Sequence, residues 1–254
     1  MTGPRLGIVS AIAQEQRGLL DALQSSRSVR HGNRDYTLGA LWGRDVVLVL
    51  CGIGKVAAAA TTTSLIVEFG CASLLFTGVA GGLGEDVRVG DVVIADSLLQ
   101  HDLDASPLYP QYEVPDTGKS RFAADAAQTQ ALHAAAQSVF GAGSPSLIGA
   151  ATRQAFGLHA PCVHRGLIVS GDQFISTRAD SDALRLSLPD ALAVEMEGAA
   201  VAQVCHDYGT PFALARTLSD RADDSAHIDF GQFIHTVASA YSLALVQALL
   251  MPGS

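Results

Sequence analysis

The chain has little charge, few cysteines and no long apolar run, and each shortage excludes a class of protein. Only 16% of its 254 residues are charged, and nowhere do Lys and Arg cluster. With 16 Lys+Arg against 25 Asp+Glu, the formal net charge is −9. Nucleic acid and anionic membrane surfaces are therefore poor partners for it. No stretch approaches the ~18–20 apolar residues of a membrane span. The N-terminal MTGPRLGIVSAIAQEQ lacks the apolar core of a secretion signal and reads as a first strand. A cytoplasmic protein is expected. Cys51, Cys71, Cys162 and Cys205 are widely spaced, form no C-x-x-C pair and sit in apolar contexts. That pattern predicts buried free thiols in a reducing compartment. Pro/Ser-rich linkers, internal repeats and low-complexity segments are also missing. One domain over residues 1–254 is expected, longer than the usual ~100–200 residues but within the range of a single α/β unit.

Familiar catalytic strings are missing too. VLVLCGIGK contains Gly-Lys, but a phosphate-binding loop needs Gly where Val49 stands and Ser or Thr where Val56 stands. GVAGGLG at 78–84 does not have the G-x-G-x-x-G spacing of a dinucleotide fold and comes too late in the chain. The histidines form no H-E-x-x-H, and no G-x-S-x-G elbow occurs. HDLD at 101–104 reads as a solvated loop. No metal and no cofactor are expected.

What is present is a core-rich, glycine-punctuated chain, with 48% hydrophobic residues and 25 glycines. β-rich runs fall at 5–10, 35–41, 45–50, 73–77, 91–96, 146–150, 165–170, 191–194 and 212–217. Helical patterns fall at 55–69, 123–140 and 197–208, ending at Gly70, Gly141 and Gly209, and a last amphipathic helix at 230–251. In that helix Phe233, Val237, Tyr241, Leu245 and Leu249 form one stripe. Alternating strands and helices predict layered α/β architecture around a mostly parallel sheet, with 35–41 and 45–50 as a grafted hairpin. Residues 101–121 form one long irregular loop, the kind that serves as a lid or contact segment.

In an open α/β sheet, ligands bind outside the carboxyl ends of the strands. Those ends carry Glu15, the CGIGK and GVAGG turns, GDQFI with Asp172, Phe174 and Ile175, the pair Glu195 and Glu197 around Met196, and LSDRADD with Arg216 at the strand's end and Asp220 beyond. Each acid alone is ordinary, and acids in a helical first turn also suit the macrodipole. Together, several carboxylates, an arginine, an aromatic ring and two glycine-rich turns suit a polyhydroxylated ligand bearing an aromatic group. They do not suit a phosphate-rich one.

GIVSAIAQE, CGIGKVAAA, FTGVAGGL, VGDVVIAD, RGLIVSGDQFI, AVEMEGAAVAQVC and RTLSDRAD occur in this order. In these motifs the chain resembles the 5′-methylthioadenosine/S-adenosylhomocysteine nucleosidases of the purine nucleoside phosphorylase superfamily, from about residue 6 to the final helix. VSGDQFI, VEMEG and SDRAD together are highly specific. The resemblance implies a nucleoside phosphorylase-like three-layer α/β/α sandwich with a mixed, mostly parallel sheet. It also implies a homodimer, and hydrolysis of the N-glycosidic bond of adenosine thioethers in methionine salvage.

Carried onto matching positions, the resemblance makes Asp220 the general acid toward purine N7, oriented by Ser219 and held protonated by burial. It makes Glu15 the base that activates water, with Arg216 holding that water or Glu15. Glu197 grips the ribose 2′- and 3′-hydroxyls, Met196 lies along the sugar, and Glu195 holds the turn. Phe174 stacks on adenine, the backbone of Ile175 reads its edge, and Val79, Ala80 and Gly81 lie near the ribose. Phe230, at the end of the segment 223–230, completes the substrate-binding set.

This chain departs from the family pattern in three places. Val79 stands where many members have Ser, which leaves the substrate range open. Ile12 replaces a common Met. The loop 101–121 differs, its Leu108, Tyr109 and Tyr112 being candidates to reach the partner subunit's 5′-thioether pocket. A phosphorylase would need cations in the first glycine turn, and Gln14-Glu15-Gln16 supplies an anion instead, so a hydrolase is favoured. Hydrolysis of other 5′-modified nucleosides, such as futalosine-type compounds, and a non-catalytic nucleoside-binding role remain as alternatives.

Overall fold

The computed structural model describes residues 3–223, 231 and 233–252. Ten strands form one sheet. β1 (Leu6–Ser10) is buried along its whole length, and β4 (Arg44–Leu50) and β5 (Ser73–Gly82) flank it, both parallel. β3 (Arg34–Leu41) and β4 make the expected hairpin. Outside it lies β2 (Gln24–His31), whose polar QSSRSVRH carries no apolar alternation to announce a strand.

The other half of the sheet corrects the expectation of an open, mostly parallel sandwich. β5 pairs parallel with β10 (Phe212–Asp220). β10 pairs antiparallel with β6 (Val92–Gln100), which runs parallel to β8 (Val163–Ser170). β8 runs parallel to β9 (Ala191–Glu195), and β9 returns antiparallel to β5 at Gly81–Val194 and Gly82–Ala193. The circuit β5–β10–β6–β8–β9 therefore closes into a barrel, with β1, β4, β3 and β2 extending from it and the short β7 (Phe122–Ala123) paired to β6. The sheet is mixed. Closure needs bulges, and register shifts occur near the ends of β10 and within β6 and β8.

Helices cover both faces. Alternate residues of a strand feed opposite cores: Val47 and Val49 pack on the side of α2 (Lys55–Val67) and α6 (Gly198–Tyr208), whereas Val46 and Leu48 pack on the side of α3 (Ala126–Phe140). α1 (Ala13–Ala22) and the final helix join α3. α4 (Ala150–Ala155) and α5 (Arg178–Ser187) are short surface helices. The run 146–150 is not a strand. Ser146 folds back on Ile148 through its hydroxyl, and α4 begins at Ala150. The terminal stripe is where expected: Phe233, Val237, Tyr241 and Leu245 are buried. It is delivered by a π-helical turn, Ile234–Ala238, leading into α7 (Ser239–Leu250). Gly209 ends α6 in the left-handed conformation, φ 63°. Three of the thiols are buried, but Cys162 is exposed, since it sits on the approach to β8 rather than within it. Among the described residues no helix is long and apolar enough to cross a membrane.

Candidate active site

A cavity of about 310 Å³ opens where the carboxyl ends of two oppositely directed strand sets meet. Glu15, Val79 to Gly81 and Asp220 come from the β1, β5 and β10 side, and Gln173 to Ile175 and Val194 to Glu197 from the β8 and β9 side. The antiparallel contact between β5 and β9 joins the two ends.

Glu15 is the third residue of α1, yet its carboxylate points inward and is 2% exposed. Oε2 accepts from the N–H of Ala11 (2.8 Å) and of Ile12 (3.2 Å), and Oε1 accepts from Val79 N–H (3.1 Å). The helix start thus aims the group, in a reach-back of the capping-box kind. Burial raises its pKa; the charge of Arg216 and these three backbone donors act against that rise.

The two acids around Met196 do different jobs. Glu195 spends both oxygens on the protein. Oε1 accepts from Ser170 Oγ and Gly198 N–H, while Oε2 accepts from Arg216 Nη2 (2.5 Å), Arg216 Nε (3.2 Å) and Glu197 N–H (3.2 Å). Although it borders the cavity, Glu195 fastens the strand-to-helix turn and leaves little for a ligand. Glu197 precedes α6, where its Oε1 accepts from Gly54 N–H (2.9 Å) and its Oε2 lies 3.7 Å from Arg216 Nη2. Burial, and then the charge of Glu195, push Glu197 up to about 8.

Arg216 does not line the cavity. It lies behind, 1% exposed, over the Phe76 ring with Cζ 3.9 Å from the centroid. The resemblance implies that it holds the water or Glu15; its hydrogen bonds among the described residues go to Glu195, Nε and Nη2 both donating to Oε2. Its Nη1 makes no hydrogen bond among the described residues. Nη1 and Glu15 Oε1 both crowd the point where a side chain on Gly78 would begin, at 2.5 and 2.8 Å. At Gly81 a Cβ would meet Asp220 Oδ1 at 3.0 Å. These two glycines let β5 pass directly beneath the acids.

Asp220, at the end of β10, is 3% exposed. Its Oδ1 accepts from Ala222 N–H (2.8 Å), and Ser219 Oγ donates to Oδ2 (2.7 Å). Phe174 is half-exposed at the mouth, Met196 is partly exposed, and Ile175 is buried. Phe230 lies outside the described residues. Ala11, Ile53, Gln173 and Val194 also line the cavity and were not singled out in the sequence. Ile53 and Gln173 sit inside quoted motifs, CGIGK and GDQFI, and those motifs were their available signal.

At the rim, Asp102 joins three loops. Its Oδ1 lies 2.5 Å from Lys55 Nζ, and its Oδ2 accepts from Asp172 N–H (2.8 Å). Asp172 in turn accepts from Lys55 N–H (2.7 Å).

A pocket lined by buried carboxylates, with an arginine locked behind them, on this α/β fold is a nucleoside-cleaving architecture. The profile of the phosphorylase superfamily matches residues 5–250. A 5′-methylthioadenosine/S-adenosylhomocysteine nucleosidase of Chromohalobacter salexigens is 35% identical over 97% of this chain and 96% of its own. The Neisseria meningitidis enzyme of the same name, solved in complex with methylthio-immucillin-A, superposes with a TM-score of 0.84 at 36% identity, over 97% of this chain and 100% of that one. A futalosine hydrolase of Helicobacter pylori gives a TM-score of 0.82 at 28% identity, with 97% of each chain covered. The chain belongs to the phosphorylase superfamily and, within it, to the 5′-methylthioadenosine/S-adenosylhomocysteine nucleosidases.

Proposed function

We propose that this enzyme hydrolyses the N-glycosidic bond of 5′-methylthioadenosine and S-adenosylhomocysteine, releasing adenine and the thioribose. The observation that carries hydrolysis over phosphorolysis is the charge of the cavity. Its titratable lining among the described residues is Glu15, Glu195, Glu197 and Asp220, with no Lys or Arg. A phosphate dianion finds no cationic donor in this lining, whereas a neutral nucleoside and water need none.

Cleavage of the C1′–N9 bond makes the sugar cationic and the purine anionic. Asp220, held by Ser219 and the turn at Ala222, delivers the proton to the purine. Glu15, held by three backbone donors, takes the proton from the attacking water, and Arg216, whose Nη1 has no hydrogen-bond partner among the described residues, helps orient that water from behind. Glu197 binds the ribose hydroxyls, and its ionised form favours the cationic sugar as the bond stretches. Phe174 and the backbone at Ile175 hold the purine. With Val79 in place of a hydroxyl residue, Glu15 is held from β5 by a main-chain N–H alone, which any residue but proline at that position supplies. Val79 is also the one position favouring a second reading, hydrolysis of another 5′-modified nucleoside of the futalosine type. A homodimer, cytoplasmic residence and a role in methionine salvage belong to the same proposal; mass in solution tests the first.

The decisive experiment is product analysis with 5′-methylthioadenosine, with and without phosphate. Free methylthioribose and adenine in both conditions are expected. A sugar 1-phosphate formed only with phosphate would overturn the reading of Glu15, and no adenine in either would direct the test to other 5′-modified nucleosides. Asp220→Asn should lower turnover ~10²–10⁴-fold, the usual worth of a general acid, while substrate still binds.

A further inference from the structure

Away from the cavity, a second group of reactive side chains gathers where β6 and β8 begin. Cys162 stands just before β8, and His164 is the second residue of that strand. Two positions apart on extended chain, their side chains share a face. Asp91, just before β6 and 4% exposed, turns its carboxylate toward them. His164 Nε2 is 2.9 Å from Asp91 Oδ2, and Cys162 N–H donates to Oδ1 at 2.8 Å. The thiol sulfur, an imidazole nitrogen and a carboxylate oxygen all lie within 4.8 Å of one another. None of the three lines the cavity, and the hydrolysis proposed above uses none of them.

We propose that Cys162, His164 and Asp91 form a metal site for one zinc-like divalent ion per chain, with the fourth position open to water. The donor set is the first argument. Sulfur, imidazole nitrogen and carboxylate oxygen together suit Zn²⁺ or Co²⁺ and do not suit Mg²⁺ or Ca²⁺, which take oxygen. Bonds of ~2.3 Å to sulfur and ~2.0–2.1 Å to nitrogen and oxygen put tetrahedral donors ~3.3–3.6 Å apart. Cys162 is exposed, so a rotation about its Cα–Cβ bond can bring the sulfur in without moving the backbone.

The second argument is that the least mobile ligand is already held. Asp91 accepts from Arg88 N–H at 2.9 Å as well as from Cys162 N–H, the kind of outer bonding that orients carboxylates in metal sites. A carboxylate has about four acceptor positions, so capacity remains for an ion. His164 gives up one hydrogen bond to Asp91 and gains a metal bond. The third argument is location. Val92 N–H donates to Cys162 O (2.9 Å), and Leu218 N–H donates to Asp91 O (2.8 Å). An ion here would therefore pin the start of β6 to that of β8, beside the backbone bond that already joins Asp91 to β10. Cys51, Cys71 and Cys205 are no competitors, since all three are buried.

The test is titration of the metal-free, full-length protein with Co²⁺, read by the near-ultraviolet thiolate-to-cobalt band and the visible bands of tetrahedral cobalt. Both should saturate at one ion per chain, bleach when Zn²⁺ is added, and vanish in Cys162→Ser. His164→Gln should weaken Co²⁺ binding at least ~10-fold. Zn²⁺ should raise the melting temperature of the parent chain but not of Cys162→Ser, as mass action requires of a ligand bound only by the folded state. Hydrolytic turnover by both variants is the control for folding. Absence of a thiolate band in the parent, a band that survives in Cys162→Ser, or one indifferent to His164→Gln would each overturn the proposal.

Discussion

At the scale of single residues, the two acids around Met196 show how one tripeptide divides support from chemistry. Glu195 is consumed by Arg216, Ser170 and the first turn of α6, while Glu197 carries its burial with a single full hydrogen bond, from Gly54. That difference has a pH signature. Glu197 titrates near 8 in the folded chain against 4.5 for the ordinary group. The folded state thus keeps a proton that the unfolded chain releases, and stability falls as pH rises from 4.5 toward 8. Glu197→Gln lacks this titration. Its melting temperature relative to the parent should climb across that window and level off above it. A constant difference across the window would show that Glu197 is charged throughout.

What the motifs made legible is that the acids gather: Glu15, Glu195, Glu197 and Asp220, far apart in the chain, line one cavity at the strand ends. The pairing of Arg216 with Glu195 was not readable, because a guanidinium at a strand's end has several carboxylates in reach, and sequence does not say which one geometry selects. That Glu195 holds the turn was expected from the resemblance, and its bonds to Ser170, Arg216, Glu197 and Gly198 agree.

Between elements, Asp102 forms a clamp at the rim of the cavity. It connects the start of α2 to the loop after β8, and thereby Gly54, the donor to Glu197, to the segment bearing Phe174. Asp102→Ala should loosen this clamp and touch no reacting atom. KM should rise about tenfold, the value of one charge-assisted hydrogen bond, with kcat nearly unchanged. A fall confined to kcat would instead place Asp102 in the chemical step.

Helices with glycine stops and strands with apolar runs were legible: α2, α6, β1, β8 and β10 lie within a few residues of expectation. β2 was not, because as an edge strand it is exposed at nearly every position and needs no apolar pattern. α1 was missed because AQEQRGLLDA mixes polar residues with a narrow apolar edge, only Leu19 among its apolar residues being fully buried. The run 146–150 misled because five residues of strand-like composition carry no information about the hydroxyl turn at Ser146.

For the whole molecule, sequence conveyed the alternation of strands and helices but not the closure of the sheet. Closure depends on β9 meeting β5 over two residues, Gly81 and Gly82, a contact with no signature beyond glycines that serve many other ends. The barrel has a consequence for how the enzyme fails. β5 is bonded to β1, β10 and β9, so the strand that supports Glu15 and passes under Asp220 has no free edge from which to fray. Its amides should exchange with deuterium only through complete unfolding, whereas those of β2 exchange through local opening. On heating, loss of turnover and loss of tertiary structure should therefore follow one curve. An enzyme inactivated well below its melting temperature would show that the acids can drift apart while the barrel stands; if the curves coincide, the catalyst and its scaffold share a single thermal lifetime.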